Sequence, residues 1–233
     1  MPALFSYVVR TDYETAPNSF WDVCTLVIFK PRIRRKAQVG DWILGTGSAG
    51  SPCGEVRDTA VYAMRVTDKM MMPEYEVWMR EYRPEKVLDL RSRDPRHHVG
   101  DAIYDFAEDP PHTQPGVHDD SNRDHDLSGE YALLSEHYYY FGDYPIALSE
   151  HLQVIVKRGP GHRGPENAPY VEPFLDWLTG LRLQPNSLHG DPSEWLKRRP
   201  ASAQVVQLGP RTRRRQVAGL RPRTSDQPGR KRC

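Results

Sequence analysis

A cluster of basic residues is the first feature of this 233-residue chain that points to chemistry. Five positive charges fall within seven positions, at Lys30, Arg32, Arg34, Arg35 and Lys36. The whole chain has a net charge of +1 and residues 210–233 contribute +8, so residues 1–209 carry −7. Positive charge concentrated in one segment of an otherwise acidic chain usually binds an anion, and phosphate is the most common such anion. The cluster therefore predicts phosphate contacts, and a solvated strand end is the alternative.

A glycine-rich hexapeptide has the spacing of a dinucleotide-binding turn, Gly45-Thr46-Gly47-Ser48-Ala49-Gly50. That turn needs a helix after the glycines, because the helix N-terminus holds the pyrophosphate. No helical periodicity follows here, and the next ordered pattern is the β-like run 60–67. A P-loop is excluded because no Gly-Lys-Ser/Thr follows. The pattern favours a loop that joins two strands at the rim of a cleft, where Thr46, Ser48 and backbone N–H groups would face an anion.

Aromatic residues are the candidates for binding a base. Stacking contributes about 1 to 3 kcal/mol per base, and polar groups then contact the base edge. The candidates are Trp21, Trp42 and the run Tyr138-Tyr139-Tyr140-Phe141. Strand alternation places Tyr138 and Tyr140 on one face of the run and the other two rings on the opposite face. The alternative for each ring is an ordinary position in the core.

Histidines and aspartates are concentrated in one stretch. Six of the nine histidines lie between residues 97 and 137, with several aspartates among them. Carboxylates and imidazoles are the ligands of manganese, iron and zinc hydrolases. The stretch lacks HExxH and any other tight ligand spacing, and we predict neither a metal nor a cofactor.

The elements that must position these groups are predicted from hydrophobic periodicity. Runs rich in β-branched and aromatic residues predict strands at 3–9, 23–30, 41–45 and 60–67, and apolar segments resume at 131–141 and 146–156. Helices are predicted at 73–82 and 173–179. We expect one α+β domain over residues 1–200, with a mostly antiparallel sheet or β-barrel and peripheral helices.

Composition restricts the class of protein. With 38% apolar and 10% aromatic residues, the chain can bury a core. Apolar runs of about 18 residues and a signal-peptide pattern are both absent, which predicts a cytoplasmic protein with no membrane partner. Cys24, Cys53 and Cys233 lack CxxC spacing, so we expect neither a disulfide framework nor a zinc ribbon. Residues 201–233 are predicted to be a disordered basic tail.

Seven short motifs occur in order along the chain: NSFW (18–21), CTLVIFKPRIRR (24–35), VGDWILGTGS (39–48), VYAMRVTDKM (61–70), GDAIY (100–104), LLSEHYYYFG (133–142) and GPGHR (159–163). The set resembles the nucleotide modification associated domain 2 family. This resemblance implies an association with systems that modify or restrict nucleic acid in bacteria and phages. The basic segment followed by a Gly-Asp-Trp turn is also similar to PUA-like domains of the ASCH and EVE kinds, which bind nucleic acid or modified bases.

Two main hypotheses of function follow. The preferred one is a module that recognises nucleic acid or a modified nucleotide, through the basic cluster and the aromatic residues, with DNA-modification enzymes as further partners. The alternative is an enzyme that modifies nucleotides or cleaves nucleic acid with Asp41, Asp101 and His162. His162 belongs to the GPGHR motif, and a tight glycine loop would present it rigidly for acid–base chemistry or a phosphate contact. A protein-interaction subunit is a third possibility.

Overall fold

The fold is seen in a computed structural model that describes residues 1–192 with gaps at 14, 52–53 and 115–117. The strands in these residues are β1 (Leu4–Val8), β2 (Cys24–Leu26), β3 (Trp42–Thr46), β4 (Thr59–Arg65), β5 (Asp68–Met71), β6 (Tyr104–Asp105), β7 (His112–Thr113), β8 (Tyr131–Ser135), β9 (Tyr138–Tyr140), β10 (Ile146–Ala147), β11 (His162–Arg163) and β12 (Ser187–Leu188). The predicted tail at 201–233 lies outside the described residues.

Four α-helices and four short 3-10 helices connect these strands in the same part of the chain. The α-helices are α1 (Pro31–Lys36), α2 (Met72–Tyr82), α3 (Asp120–Leu127) and α4 (Val171–Gly180). The 3-10 helices span Pro84–Lys86, Pro95–Val99, Glu150–Ile155 and Pro165–Tyr170. The predicted helices at 73–82 and 173–179 are confirmed by α2 and α4, because their apolar residues Tyr75, Met79, Phe174 and Leu178 form one buried stripe on each helix.

The main sheet has seven strands in the order β11-β1-β3-β4-β9-β12, and β10 pairs with β4. β1 runs parallel to β3, β12 runs parallel to β9, and the other pairs in this sheet are antiparallel. A second sheet has the order β2-β8-β5, and β6 pairs with β7. The mixed α+β class is confirmed. Of the two predicted arrangements, the mostly antiparallel sheet is observed. No sheet among the described residues closes into a barrel, because the two edge strands of the main sheet, β11 and β12, do not pair with each other.

Burial on both faces of the main sheet explains why it stays open. Tyr138 and Tyr140 point into a core shared with β2 and α1, whereas Tyr139 and Phe141 point into a core shared with α4. The other face of the second sheet packs against α2. The chain therefore stacks a helical layer, the main sheet, the second sheet and a further helix layer. Each layer buries apolar side chains of the neighbouring layer, whereas in a closed barrel these side chains would pack inside the barrel.

The predicted strand at 23–30 is shorter than expected, and a helix that was not predicted, α1, follows it. β2 ends at Leu26, and Phe29 and Lys30 then adopt left-handed backbone conformations with φ of 60° and 45°. These two residues reverse the chain, and Pro31 at the first helical position starts α1. The reversal puts four of the five basic residues on a helix of six residues.

No helix in the described part of the chain is both long enough and apolar enough to cross a membrane.

Candidate phosphate-binding cleft

A cleft of about 440 Å³ opens beside the C-terminal end of β1. Its size falls within the range of about 300 to 1,000 Å³ that is typical of small-molecule sites. Three turns form its walls: the end of β1 with the start of α1, the β3–β4 loop, and the segment after the third 3-10 helix. The lining residues are Val8, Arg10, Lys30, Gly47, Ser48, Ala49, Arg57, Val156, Lys157, Arg158, Gly159, Pro160 and Gly161.

The lining of this cleft is strongly cationic. Five of its side chains carry a positive charge, at Arg10, Lys30, Arg57, Lys157 and Arg158. Among the lining residues that the structure describes, none is a carboxylate. Arg57 pairs with Glu55 and Arg158 pairs with Asp58 at 2.7 Å, but these ion pairs are largely solvent-exposed and hold the arginines weakly. Two of the five cations are thus partly neutralised by carboxylates outside the lining.

Lys30 is held at the cleft by a strained turn. Residues other than glycine rarely adopt a positive φ, yet both Phe29 and Lys30 do so. The Phe29 carbonyl accepts a hydrogen bond of 2.9 Å from Nε of Arg34, which fixes the turn from inside the protein. The Lys30 Nζ lies 4.5 Å from the centroid of the Tyr7 ring, and burial lowers the pKa of this lysine. Strain of this kind persists where the surrounding structure fixes it, often at functional sites.

Arg34 is the exception within the basic cluster. Its side chain is fully buried and its guanidinium donates to the carbonyl oxygens of Phe29, Tyr131 and Asp126. Burial lowers the pKa of Arg34 to about 10. A Cβ on Gly129 would overlap the guanidinium, so glycine is required there. The phosphate contact predicted for Arg34 is excluded by this geometry, and the residue is a structural anchor.

The other members of the cluster are accessible. Arg32, Arg35 and Lys36 are exposed on α1, and the Arg35 guanidinium donates to the Ser128 carbonyl at 2.6 Å. Only Lys30 from this cluster lines the cleft.

The glycine-rich segment joins two antiparallel strands, β3 and β4, as predicted. A Cβ on Gly47 would overlap the Val56 carbonyl oxygen, so the loop can close only around glycine. The Gly47 N–H donates to the Thr59 carbonyl at 3.0 Å, and the buried Thr46 hydroxyl donates to the Tyr7 carbonyl at 3.1 Å. Neither donor is free for an anion. Ser48 lines the cleft as expected from a residue at its rim.

Trp42 and the run from Tyr138 to Phe141 belong to the core and not to the cleft. Trp42 packs edge-on against His137 and Phe174 and is 5% exposed. The hydroxyl of Tyr138 donates to the Ser19 carbonyl at 3.0 Å, and that of Tyr140 donates to Asp12. None of the cleft-lining residues in the described chain is aromatic.

Trp21 occupies a different surface region. The Arg96 guanidinium lies 4.2 Å from its ring and the centroid of the His97 ring lies 5.0 Å away. Trp42, Tyr139 and Phe141 share a buried core cluster, so the structure does not bring the predicted base-stacking residues together at an accessible surface.

Asp41 and Asp101 have structural partners. The buried Asp41 carboxylate accepts the N–H groups of Ala3 at 2.7 Å and Gln38 at 2.8 Å. Asp101 is fully buried and accepts the hydroxyls of Thr25 and Tyr75. Burial raises the pKa of Asp101 against the opposing charge of Lys86. These aspartates share no partner with His162, so the predicted catalytic set is not assembled.

His162 lies at the border of the cleft. It follows the lining residue Gly161 and pairs with Tyr7 in the β1–β11 register. Burial lowers its pKa, and the positive charges of Lys36, Arg32 and Lys30 act in the same direction against Glu166. The exposed face of α1 and the edge of the main sheet therefore extend the positive surface beyond the cleft.

A family model for nucleotide modification associated domain 2 matches residues 1–199. The chain belongs to this family. No curated protein and no solved structure was found to match it. The family name links the chain to nucleotide modification, whereas similarity to PUA-like domains is not confirmed.

The sequence analysis did not predict four of the five cationic residues that line the cleft of this family member. Arg10, Arg57, Lys157 and Arg158 come from three separate segments and show no local clustering comparable with residues 30–36. The pair Lys157-Arg158 directly precedes Gly159-Pro160-Gly161. Two adjacent basic residues before a glycine-containing turn are the sequence pattern that could have predicted these two cations. Among the described residues, no group of three or more histidine, cysteine, aspartate or glutamate side chains is arranged to hold a metal ion.

Proposed function

We propose that this domain recognises nucleic acid or a modified nucleotide by binding its phosphate groups in the cationic cleft. The observation that carries the proposal is the convergence of five cationic side chains from separate segments. They converge although residues 1–209 carry a net charge of −7. Arg57 and Arg158 are paired with Glu55 and Asp58, but no carboxylate is among the described residues that line the cleft beside Arg10, Lys30 and Lys157, so an anion bound there reduces the repulsion between like charges.

The chemistry of the lining fits phosphate. Guanidinium and ammonium groups form charge-assisted hydrogen bonds with phosphate oxygens, and arginine can donate in bidentate geometry. The family name directs the choice among phosphate-bearing ligands toward nucleotides. In this proposal the domain acts beside enzymes that modify DNA or nucleobases.

Binding of labelled nucleotides by the full chain tests the proposal. Lys30→Ala and Lys157→Ala each remove one cleft cation, and Arg80→Ala removes one cation from α2 as a matched control. We expect each cleft variant to weaken binding about 3- to 10-fold at about 150 mM salt, with no change for the control. Because all variants keep the basic tail, its contribution cancels. Equal affinities across the four proteins would refute the proposal.

His162 supports a second candidate, an enzyme that acts on a phosphate ester. It follows the cleft residue Gly161, and burial lowers its pKa, which favours the neutral imidazole that can accept a proton from an attacking water. Incubation of the full chain with nucleotides and oligonucleotides tests for product formation. His162→Gln should abolish turnover and keep binding, whereas the absence of product with bound ligand would reject the enzyme.

A further inference from the structure

A shallow groove adjoins the cleft along the segment 153–158. It has a volume of about 450 Å³ and is lined by Gln153, Val154, Val156, Lys157, Arg158 and Arg163. Val156, Lys157 and Arg158 line both depressions. This segment is therefore the wall between them, and its two cations border both sides. In the described chain, the groove lining contains no carboxylate and no aromatic ring.

Arg163 provides the groove with a cation that the cleft does not contain. Its Nε donates to Oδ1 of Asn167 at 3.0 Å. Asn167 is fully buried, and its Nδ2 donates to the Leu4 carbonyl at 3.1 Å and to Ser6 Oγ at 3.0 Å. The guanidinium is thus oriented by a fixed interior residue. Two carboxylates lie next to this lining: Glu166 accepts the Gly164 N–H at 3.3 Å, and Asp58 pairs with Arg158 at 2.7 Å.

We propose that the cleft and the groove together bind one continuous polynucleotide strand, which crosses the wall at residues 156–158. This inference rests on the proposed function and specifies its ligand. Two adjoining cationic depressions with shared cations suit consecutive phosphates, whereas a mononucleotide would occupy the cleft alone. A concave, positively charged path that follows the backbone is the usual arrangement for a single strand. Duplexes are instead bound by helices or ribbons that enter a groove of the nucleic acid.

The lining also predicts how the strand is held. Without aromatic rings in either described lining, base stacking contributes little, and phosphate contacts carry the affinity. Binding should then depend weakly on sequence and strongly on salt. For single strands the slope of log K against log salt is about −0.7 for each neutralised phosphate.

Two variants of the groove separate this inference from the proposed function. Val154 is 45% exposed and lines only the groove, so Val154→Glu adds a negative charge there and Val154→Gln is its neutral control. Arg163→Ala removes the groove cation. Anisotropy with fluorescent thymidine triphosphate and with eight-nucleotide dT and rU strands measures both kinds of ligand on the full chain.

We expect the octamers to bind more tightly than the mononucleotide. Arg163→Ala and Val154→Glu should each weaken octamer binding about 3- to 10-fold without changing mononucleotide binding, and Arg163→Ala should reduce the salt slope by about 0.7. Comparison of dT with rU identifies which type of strand is bound. The inference is overturned if octamers bind no more tightly than the mononucleotide or if the groove variants leave octamer binding unchanged. If the inference fails in this way but Lys30→Ala still weakens mononucleotide binding, the proposed function remains supported.

Discussion

The backbone N–H of Phe29 donates a hydrogen bond of 2.9 Å to Oδ1 of Asp126, a residue 97 positions further along the chain. The same carboxylate accepts the Tyr104 hydroxyl at 2.9 Å and contacts Nδ1 of His118. Arg34 donates to the carbonyls of both Phe29 and Asp126. This buried network holds the left-handed turn from which Lys30 enters the cleft.

Asp126→Asn should destabilise the protein by about 1.5 to 3 kcal/mol at pH 7, because the hydrogen bonds lose their charged acceptor. Burial alone would raise the pKa of Asp126, but hydrogen bonds from His118, the Phe29 N–H and Tyr104 hold it below its usual value. A carboxylate with a lowered folded-state pKa stabilises the fold above its unfolded pKa of about 3.9. That contribution is lost as the pH falls through the folded value. Urea unfolding at several pH values between about 7 and 3 measures the difference between variant and parent.

Asp124→Asn is the matched control on the same helix, since the Asp124 side chain is fully exposed. We expect the stability difference between Asp126→Asn and the parent to shrink toward acid pH. A difference that is constant with pH would show that the charge of Asp126 does not stabilise the turn.

Arg34→Ala should lower the stability of the protein and Arg32→Ala should lower its affinity for ligand, although the two residues lie two positions apart. Loss of the buried Arg34 removes a donor from three carbonyl oxygens, of which that of Asp126 keeps the Gly129 N–H at 3.0 Å, and this should cost about 3 kcal/mol. Arg32 is exposed, so its removal should leave the free energy of unfolding unchanged and reduce only ligand affinity. Thermal unfolding and nucleotide binding, measured on both variants, compare the two roles. Similar stability of the two variants would contradict the anchoring role of Arg34.

Gly47→Ala should damage both the fold and the cleft. The new Cβ would overlap the Val56 carbonyl oxygen and lie 2.6 Å from Thr59 Oγ1, so the loop must shift at a cost of about 1 to 3 kcal/mol. Gly50→Ala in the same loop is the control, because the nearest atom to its Cβ would be Ser48 Oγ at 4.0 Å. Melting temperature and nucleotide affinity should fall for the first variant and stay unchanged for the second.

Trp42→Ala should unfold more easily by about 3 to 5 kcal/mol, because it removes a buried ring between His137 and Phe174. The folded fraction of Trp42→Ala should bind nucleotides with the same affinity as the parent protein. Trp42→Phe keeps an aromatic ring in the core and should lose less stability. A selective loss of ligand binding at unchanged stability would instead restore the stacking role predicted for this residue.

Local patterns in the sequence predicted several elements correctly. The stripes of α2 and α4, the strands β1, β3 and β4, and the opposite orientation of Tyr138 and Tyr139 follow from helical or strand periodicity. The absence of a helical pattern after Gly50 correctly indicated a loop between strands. Such features depend mainly on residues that are close in sequence, so sequence periodicity can predict them.

The sequence alone determined the family, the helices α2 and α4, the strands β1, β3 and β4, and the basic segment next to a glycine-rich loop. Tertiary structure decided which of those charges are accessible, since Arg34 is buried within α1 whereas Lys30, in the turn before this helix, lines the cleft. It also decided that the sheet stays open and that the aromatic rings are packed in the core. The cleft itself arises only on folding, because Arg10 and Arg158 meet there through contacts between strands distant in sequence, and local periodicity carries no information on such pairings.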